Sequence, residues 1–133
     1  MSVPLSKTIA LRTEIQKILT ACVTVNGTQT EKVYFQQAEK ERPCKYLVYT
    51  FDTVLREDER EMLELEVNVM DYGTDTSAAE TLADAIQAAF DKNVVITDDI
   101  AVYFYIDRRN NPVEEDRNII RRRLTFTTYL YER

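Results

Sequence analysis

Met62-Leu63-Glu64-Leu65-Glu66-Val67-Asn68-Val69-Met70-Asp71-Tyr72 is the stretch that decides the fold. Leu63, Leu65, Val67 and Val69 fall on one side of a two-residue repeat, and Glu64, Glu66 and Asn68 on the other. Successive side chains of a strand point to opposite faces, so this pattern predicts a strand with one face on a core and one in water. A sheet built on it needs something apolar to cover its dry face.

Working outward from that strand, the upstream chain supplies part of the cover. Leu11, Ile15, Ile18 and Cys22, with Leu19 beside them, recur at helical spacing and predict a helix from about Ser6 to Val23. Ser6 or Thr8 is the candidate cap, and Asn26-Gly27 the stop, because both tolerate a positive φ. Two strand-like segments follow, a short one at Lys32 to Ala38 and an aromatic-rich one at Lys45 to Leu55 entered through Pro43. Arg56 to Glu61 reads as a charged turn.

Downstream, Gly73 breaks the chain, and Ser77-Ala78-Ala79-Glu80 has the form of a capping box opening a second helix. Leu82, Ile86 and Phe90 recur every four residues, with Ala79, Ala83 and Ala89 letting that helix lie close to a sheet. Ile100 to Asp107 alternates Ile100, Val102, Phe104 and Ile106 against Ala101, Tyr103 and Tyr105. Asn118 to Tyr131 alternates Ile120, Leu124, Phe126 and Leu130 against Arg121, Arg123, Tyr129 and Tyr131. Asp107 to Arg117 reads as a connection too long for a tight hairpin. The expected order is α-β-β-β-α-β-β over residues 1–133, in one domain. The expected fold is a two-layer α+β fold, with both helices on one face of a mostly antiparallel sheet.

Composition bounds the function. The chain has 133 residues, 44% hydrophobic and 30% charged, with no histidine, two glycines, three prolines and a net charge of −6. Such acidity opposes general affinity for nucleic-acid backbones. No apolar run reaches the roughly 18 residues that span a bilayer, and the N-terminal residues lack the basic-then-apolar form of a signal peptide. Cys22 and Cys44 are too few for a disulfide scaffold, and Cys22, on the apolar side of the first helix, is expected as a buried small hydrophobe with a free thiol in a reducing compartment.

Reactive groups are sparse. Without histidine there is no base near neutral pH to activate Cys22, Cys44 or the serines Ser2, Ser6 and Ser77, and no nucleotide-binding motif occurs. Catalysis, cofactors and metals are therefore not expected. Asp98-Asp99 and Glu114-Glu115-Asp116 read as solvated turn acids, because the spaced ligands and glycine of a calcium loop are missing. Arg121-Arg122-Arg123 cannot form one basic patch on a strand, since Arg122 points away from its neighbours. Arg121 and Arg123 are expected to pair with Glu64 or Glu66, and Arg122, on the apolar side, to meet an acid or lie at a sheet end. Tyr46, Val48, Tyr103, Tyr105, Tyr129 and Tyr131 fall on the second face, as a contact surface or as ordinary strand composition. Charge is uneven. Residues 1–106 carry ten basic and eighteen acidic side chains, and residues 107–133 carry seven and five.

The ordered layout resembles the tail terminator, or tail completion, proteins of long-tailed bacteriophages and prophages. It is carried by the leading helix, Leu5 to Val23, then by Val33-Tyr34-Phe35-Gln36-Gln37-Ala38 and Arg42-Pro43-Cys44-Lys45-Tyr46-Leu47-Val48-Tyr49. Leu65-Glu66-Val67-Asn68-Val69-Met70-Asp71, the helix from Ser77 to Asp91 and Arg123-Leu124-Thr125-Phe126 complete it. The resemblance implies a virion tail protein, assembled in the bacterial host cytoplasm. Copies would form a ring, commonly hexameric, that caps the head-proximal end of the tail tube and joins it to the head. Its partners would be itself, the tail tube protein and a head-completion or connector protein. No membrane is involved, and DNA is only passing cargo, repelled by an acidic lumen. A closed ring needs two complementary patches per subunit, which the acidic and basic portions would supply. Candidate contact residues are Glu57, Asp58, Glu59, Glu64, Glu66, Arg108, Arg109, Arg121, Arg123, Tyr129 and Tyr131. Two other readings are a different head–tail connector or neck protein, and an acidic immunity-type inhibitor that uses Glu57 to Glu66 against a basic partner.

Overall fold

A computed structural model describes residues 7–26, 32–36, 46–56, 60–112 and 118–132. In chain order the elements are α1 (Lys7–Asn26), β1 (Lys32–Phe35), β2 (Tyr46–Arg56), β3 (Arg60–Tyr72), α2 (Ser77–Phe90), β4 (Val94–Ile96), β5 (Ile100–Asn110) and β6 (Ile119–Glu132). The six strands form one sheet in the order β1-β2-β3-β6-β5-β4. Every pairing is antiparallel except β1 with β2, so the sheet is mixed and mostly antiparallel, and the fold is α+β.

The alternation of β3 translates directly into burial. Leu63, Leu65, Val67 and Val69 are buried against the helices, while Glu64 and Glu66 stand on the other face. Ala10, Leu11, Ile15, Leu19, Cys22 and Val23 of α1 pack on the same core as Ala79, Leu82, Ala83, Ile86 and Phe90 of α2. Phe90 is the pivot, with its ring 5.0 Å from Phe104 and 5.2 Å from Phe126. Burying a side chain of that size contributes about 2–3 kcal/mol by area alone. Tyr49 is also buried, and its hydroxyl donates to Gln16 Oε1 at 2.8 Å. Burial pushes the Tyr49 phenol and the Cys22 thiol above their ordinary pKa ranges.

Several expectations change. α1 runs on to Asn26, and Thr8 lies inside it, so Thr8 is not its cap. Ser6, Gly27, Pro43 and Cys44 lie outside the described residues. The first strand is described from Lys32 to Phe35, after which Gln36 adopts φ 67° and its N–H donates to the carbonyl of Tyr49; Gln37 and Ala38 lie outside the described residues. The capping box does not form. Asp75 Oδ1 accepts the Ser77 N–H at 2.9 Å, and the Glu80 carboxylate reaches arginines on the sheet. A short extra strand, Val94–Ile96, follows α2, giving α-β-β-β-α-β-β-β. β5 continues to Asn110, so the first four residues expected in the long connection belong to the sheet.

A bulge explains that last change. Ile106 pairs with Phe126 and Arg108 with Thr125, leaving Asp107 as the extra residue. One inserted residue resets which face each later side chain takes. Arg108 therefore stands on the helix-free face and Arg109 turns under α2.

Candidate interaction face

The helices cover one face of the sheet, so contact chemistry collects on the other face and at the edges. Three regions make up the helix-free face.

Its centre is a lattice of charges that satisfies itself. Arg108 donates to Glu64 Oε1 at 3.0 Å and to Asp107 at 2.9 Å. Arg123 lies 3.7 Å from Glu66 and donates to Asn110 Oδ1 at 3.1 Å. Arg121 donates to Asn68 Oδ1 at 2.8 Å. Thr125 sits between Glu66 on β3 and Arg108 on β5, and is only 1% exposed although it belongs to this face. The long side chains around it act as a roof. Such half-exposed pairs each contribute about 0–1 kcal/mol. They give Glu64, Glu66, Arg108 and Arg123 partners within the chain while leaving their side chains partly exposed.

Toward the β4 end the face turns aromatic. Tyr103 and Tyr131 stack edge-on with ring centroids 5.6 Å apart, and Tyr105 and Tyr129 do so at 6.2 Å. The Arg60 guanidinium lies 5.3 Å from the centre of the Tyr129 ring. These residues line a shallow depression of about 250 Å³. A second depression of about 440 Å³ lies toward β1, lined by Gln36, Tyr46, Val48, Thr50, Glu66 and Arg121, among others.

The edges are the third region. β4 exposes Val94 at 45% and Ile96 at 61%, and the far end of β2 exposes Val54 at 57% and Leu55 at 50%. The sequence pattern missed both, because β4 is too short to show alternation and exposure at an edge depends on which strands pair there.

The eleven candidate residues thus separate. Glu64, Glu66, Arg108, Arg121 and Arg123 come together in the charge lattice, and Tyr129 and Tyr131 in the aromatic cluster. Arg109 lies on the helix side, donating to Glu80 at 2.9 Å and Asp84 at 2.6 Å. Glu57, Asp58 and Glu59 lie outside the described residues, as do Glu114, Glu115 and Asp116. Arg122 meets an acid, as expected, donating from Nε to the Glu80 carboxylate. The bonds from Arg122 and Arg109 hold that carboxyl below its ordinary pKa range. Described arginines 108, 109 and 123 are bound to acids from the earlier part of the same chain. Among the described residues, these arginines of the basic portion are therefore already paired within the chain.

Among the described residues, no helix is long and apolar enough to cross a membrane, and no three His, Cys, Asp or Glu side chains gather as metal ligands.

No family model and no curated protein matches the chain. Solved structures do. The chain superposes on one from the virion of a native gene transfer agent (GTA) particle with a TM-score of 0.70, at 15% identity, covering 88% of this chain and 91% of that one. A second solved structure, known by a sequence designation alone, superposes with a TM-score of 0.61 at 20% identity, covering 87% of this chain and 94% of that one. At such identities the likeness establishes a shared fold across nearly the whole of both chains.

Proposed function

We propose that this chain is a structural protein of a long-tailed phage, prophage or related particle, and that it is the tail terminator: a ring that caps the head-proximal end of the tail tube and joins it to the head. The observation that carries this reading is the superposition on a virion chain over 88% of this chain and 91% of the other. The described surface supports it. Its assets are an aromatic cluster and two apolar edges, which suit contact with other proteins. On this reading the chain performs no catalysis, takes no cofactor, and acts through copies of itself, the tube protein and a head-completion protein.

The inhibitor reading is weaker, because Glu64 and Glu66 are already paired with Arg108 and Arg123. A cationic partner would have to displace those arginines.

Interrupting the gene in its parent particle, and imaging the products by electron microscopy, tests the role. A tail terminator predicts headless tubes of uncontrolled length. Tails of normal length lying beside filled heads would assign the chain to another connector position. Complete infectious particles would overturn a structural role.

A further inference from the structure

β5 changes character at its bulge. Before it, Ile100, Val102 and Phe104 are fully buried, and Ile106 packs against the same core. From the bulge on come Asp107, Arg108, Arg109 and Asn110, none of them apolar. The ladder to β6 continues, with Arg108 on Thr125, Arg109 on Leu124 and Asn110 on Arg123. No apolar side chain of β5 anchors this last part of the strand.

Its side chains hold on by charge, and from both faces of the sheet. Neighbouring residues of a strand point opposite ways. Arg108 donates to Glu64 of β3 at 3.0 Å across the helix-free face. Arg109 donates to three residues of α2 on the other face: Glu80 at 2.9 Å, Asp84 at 2.6 Å and Gln87 at 3.3 Å. Asn110 accepts from Arg123 at 3.1 Å. The side chains of Arg108, Glu64 and Asp84 are 57%, 43% and 71% exposed, so water and salt reach both grips. β6 does not depend on them, because its other edge pairs with β3 along its length, from Tyr131 on Arg60 to Ile119 on Tyr72.

We propose that Arg108–Asn110 is a charge-held clip that opens from β6 as a unit while the rest of the sheet stays folded, and that ionic strength sets how often it opens. Local openings are drawn from the parts of a fold with least apolar burial. Salt weakens both grips together, because each sets a cation of the clip on an acid of the body. The device goes beyond the virion reading and does not depend on it.

The ladder tells which amides report the opening. Phe104 bonds Lys92 and Asn93, and the Ile106 N–H donates to Asp91 Oδ1, so both residues turn their backbone groups away from β6. Alternation then turns Tyr103 and Tyr105 toward β6, and their partners Tyr129 and Thr127 toward β5, with Thr125 and Arg123 in the same row. Thr125 and Arg123 lie opposite the clip, and Tyr129 and Thr127 opposite the core-anchored part of β5.

Hydrogen–deuterium exchange at single-residue resolution, at one pH and in about 0.02 M and about 0.5 M sodium chloride, makes the comparison. Sedimentation velocity first fixes a protein concentration at which one species is present in both salts. Arg123 and Thr125 should exchange faster than Tyr129 and Thr127 in low salt, and the ratio should rise about fivefold in high salt. Arg108→Gln, at an exposed position and with far-UV circular dichroism as the check on folding, should raise the low-salt ratio and shrink the response to salt. A ratio that salt leaves unchanged would overturn the clip. So would one common rate for all four amides, which would mean that this end of β5 opens only with the whole fold. An Arg108→Gln protein with the wild-type ratio and the wild-type response would also overturn it.

Discussion

Arg122 of β6 reaches from the apolar face of the sheet to the carboxylate of Glu80 in the first turn of α2, and Arg109 of β5 donates to the same carboxylate. One acid thus ties a helix to two strands. Arg122 could not otherwise lie on the side of the sheet that the helices cover, where an unpaired cation is costly.

Glu80→Gln should therefore destabilise the protein at neutral pH by about 1 kcal/mol, a charge-assisted bond reduced by the partial exposure of the carboxylate. The sign with pH follows from the depressed pKa of Glu80. Its contribution is present above the unfolded value, about 4.3, and disappears as pH falls through the lower folded value. Urea unfolding of wild type and Glu80→Gln at pH 7 and pH 3 checks this, and the gap between them should narrow in acid. An equal gap at both pH values would contradict it.

Deleting Asp107 should be tolerated, at a cost below about 1 kcal/mol. It removes the extra residue of the bulge and leaves Arg108 and Arg109 on their present faces. Deleting Tyr105 instead should cost several times more, because it shifts the strand by one residue and exchanges dry and wet faces. Chemical denaturation of the two deletions makes the comparison.

Gly73 has φ +131° and its N–H donates to the carbonyl of Asn118 at 2.7 Å. A Cβ there would touch nothing within 4 Å. Gly73→Ala should nevertheless cost about 1–2 kcal/mol, wholly through backbone strain. Thermal melts would show a lowered midpoint, and an unchanged midpoint would mean that the turn relaxes.

Phe90→Ala should cost about 3–5 kcal/mol, because it opens a void between the Phe104 and Phe126 rings at the centre of the core. Urea unfolding measures the loss. A cost below about 1 kcal/mol would mean that α2 closes over the gap.

The residues that follow a simple period were legible from the sequence. β3, β5 as far as Ile106, and the helix stripes could be read because burial there repeats every two or four residues. The pairing of Arg123 with Glu66 was legible for the same reason, as two long side chains on adjacent strands and one face. Asp107 hid the rest of β5, since a bulge breaks alternation and a run of charge then resembles a loop. Ser77 and Glu80 fit a capping box locally, but two arginines distant in sequence compete for Glu80 and win. The parallel pairing of β1, and the open edges at Val54, Leu55, Val94 and Ile96, depend on strand order, which no local pattern encodes.

Negative-stain electron microscopy of the purified wild-type protein tests the ring most directly. The account predicts closed rings of one size with an open centre. Particles of single-subunit size, or filaments of varied length, would contradict it.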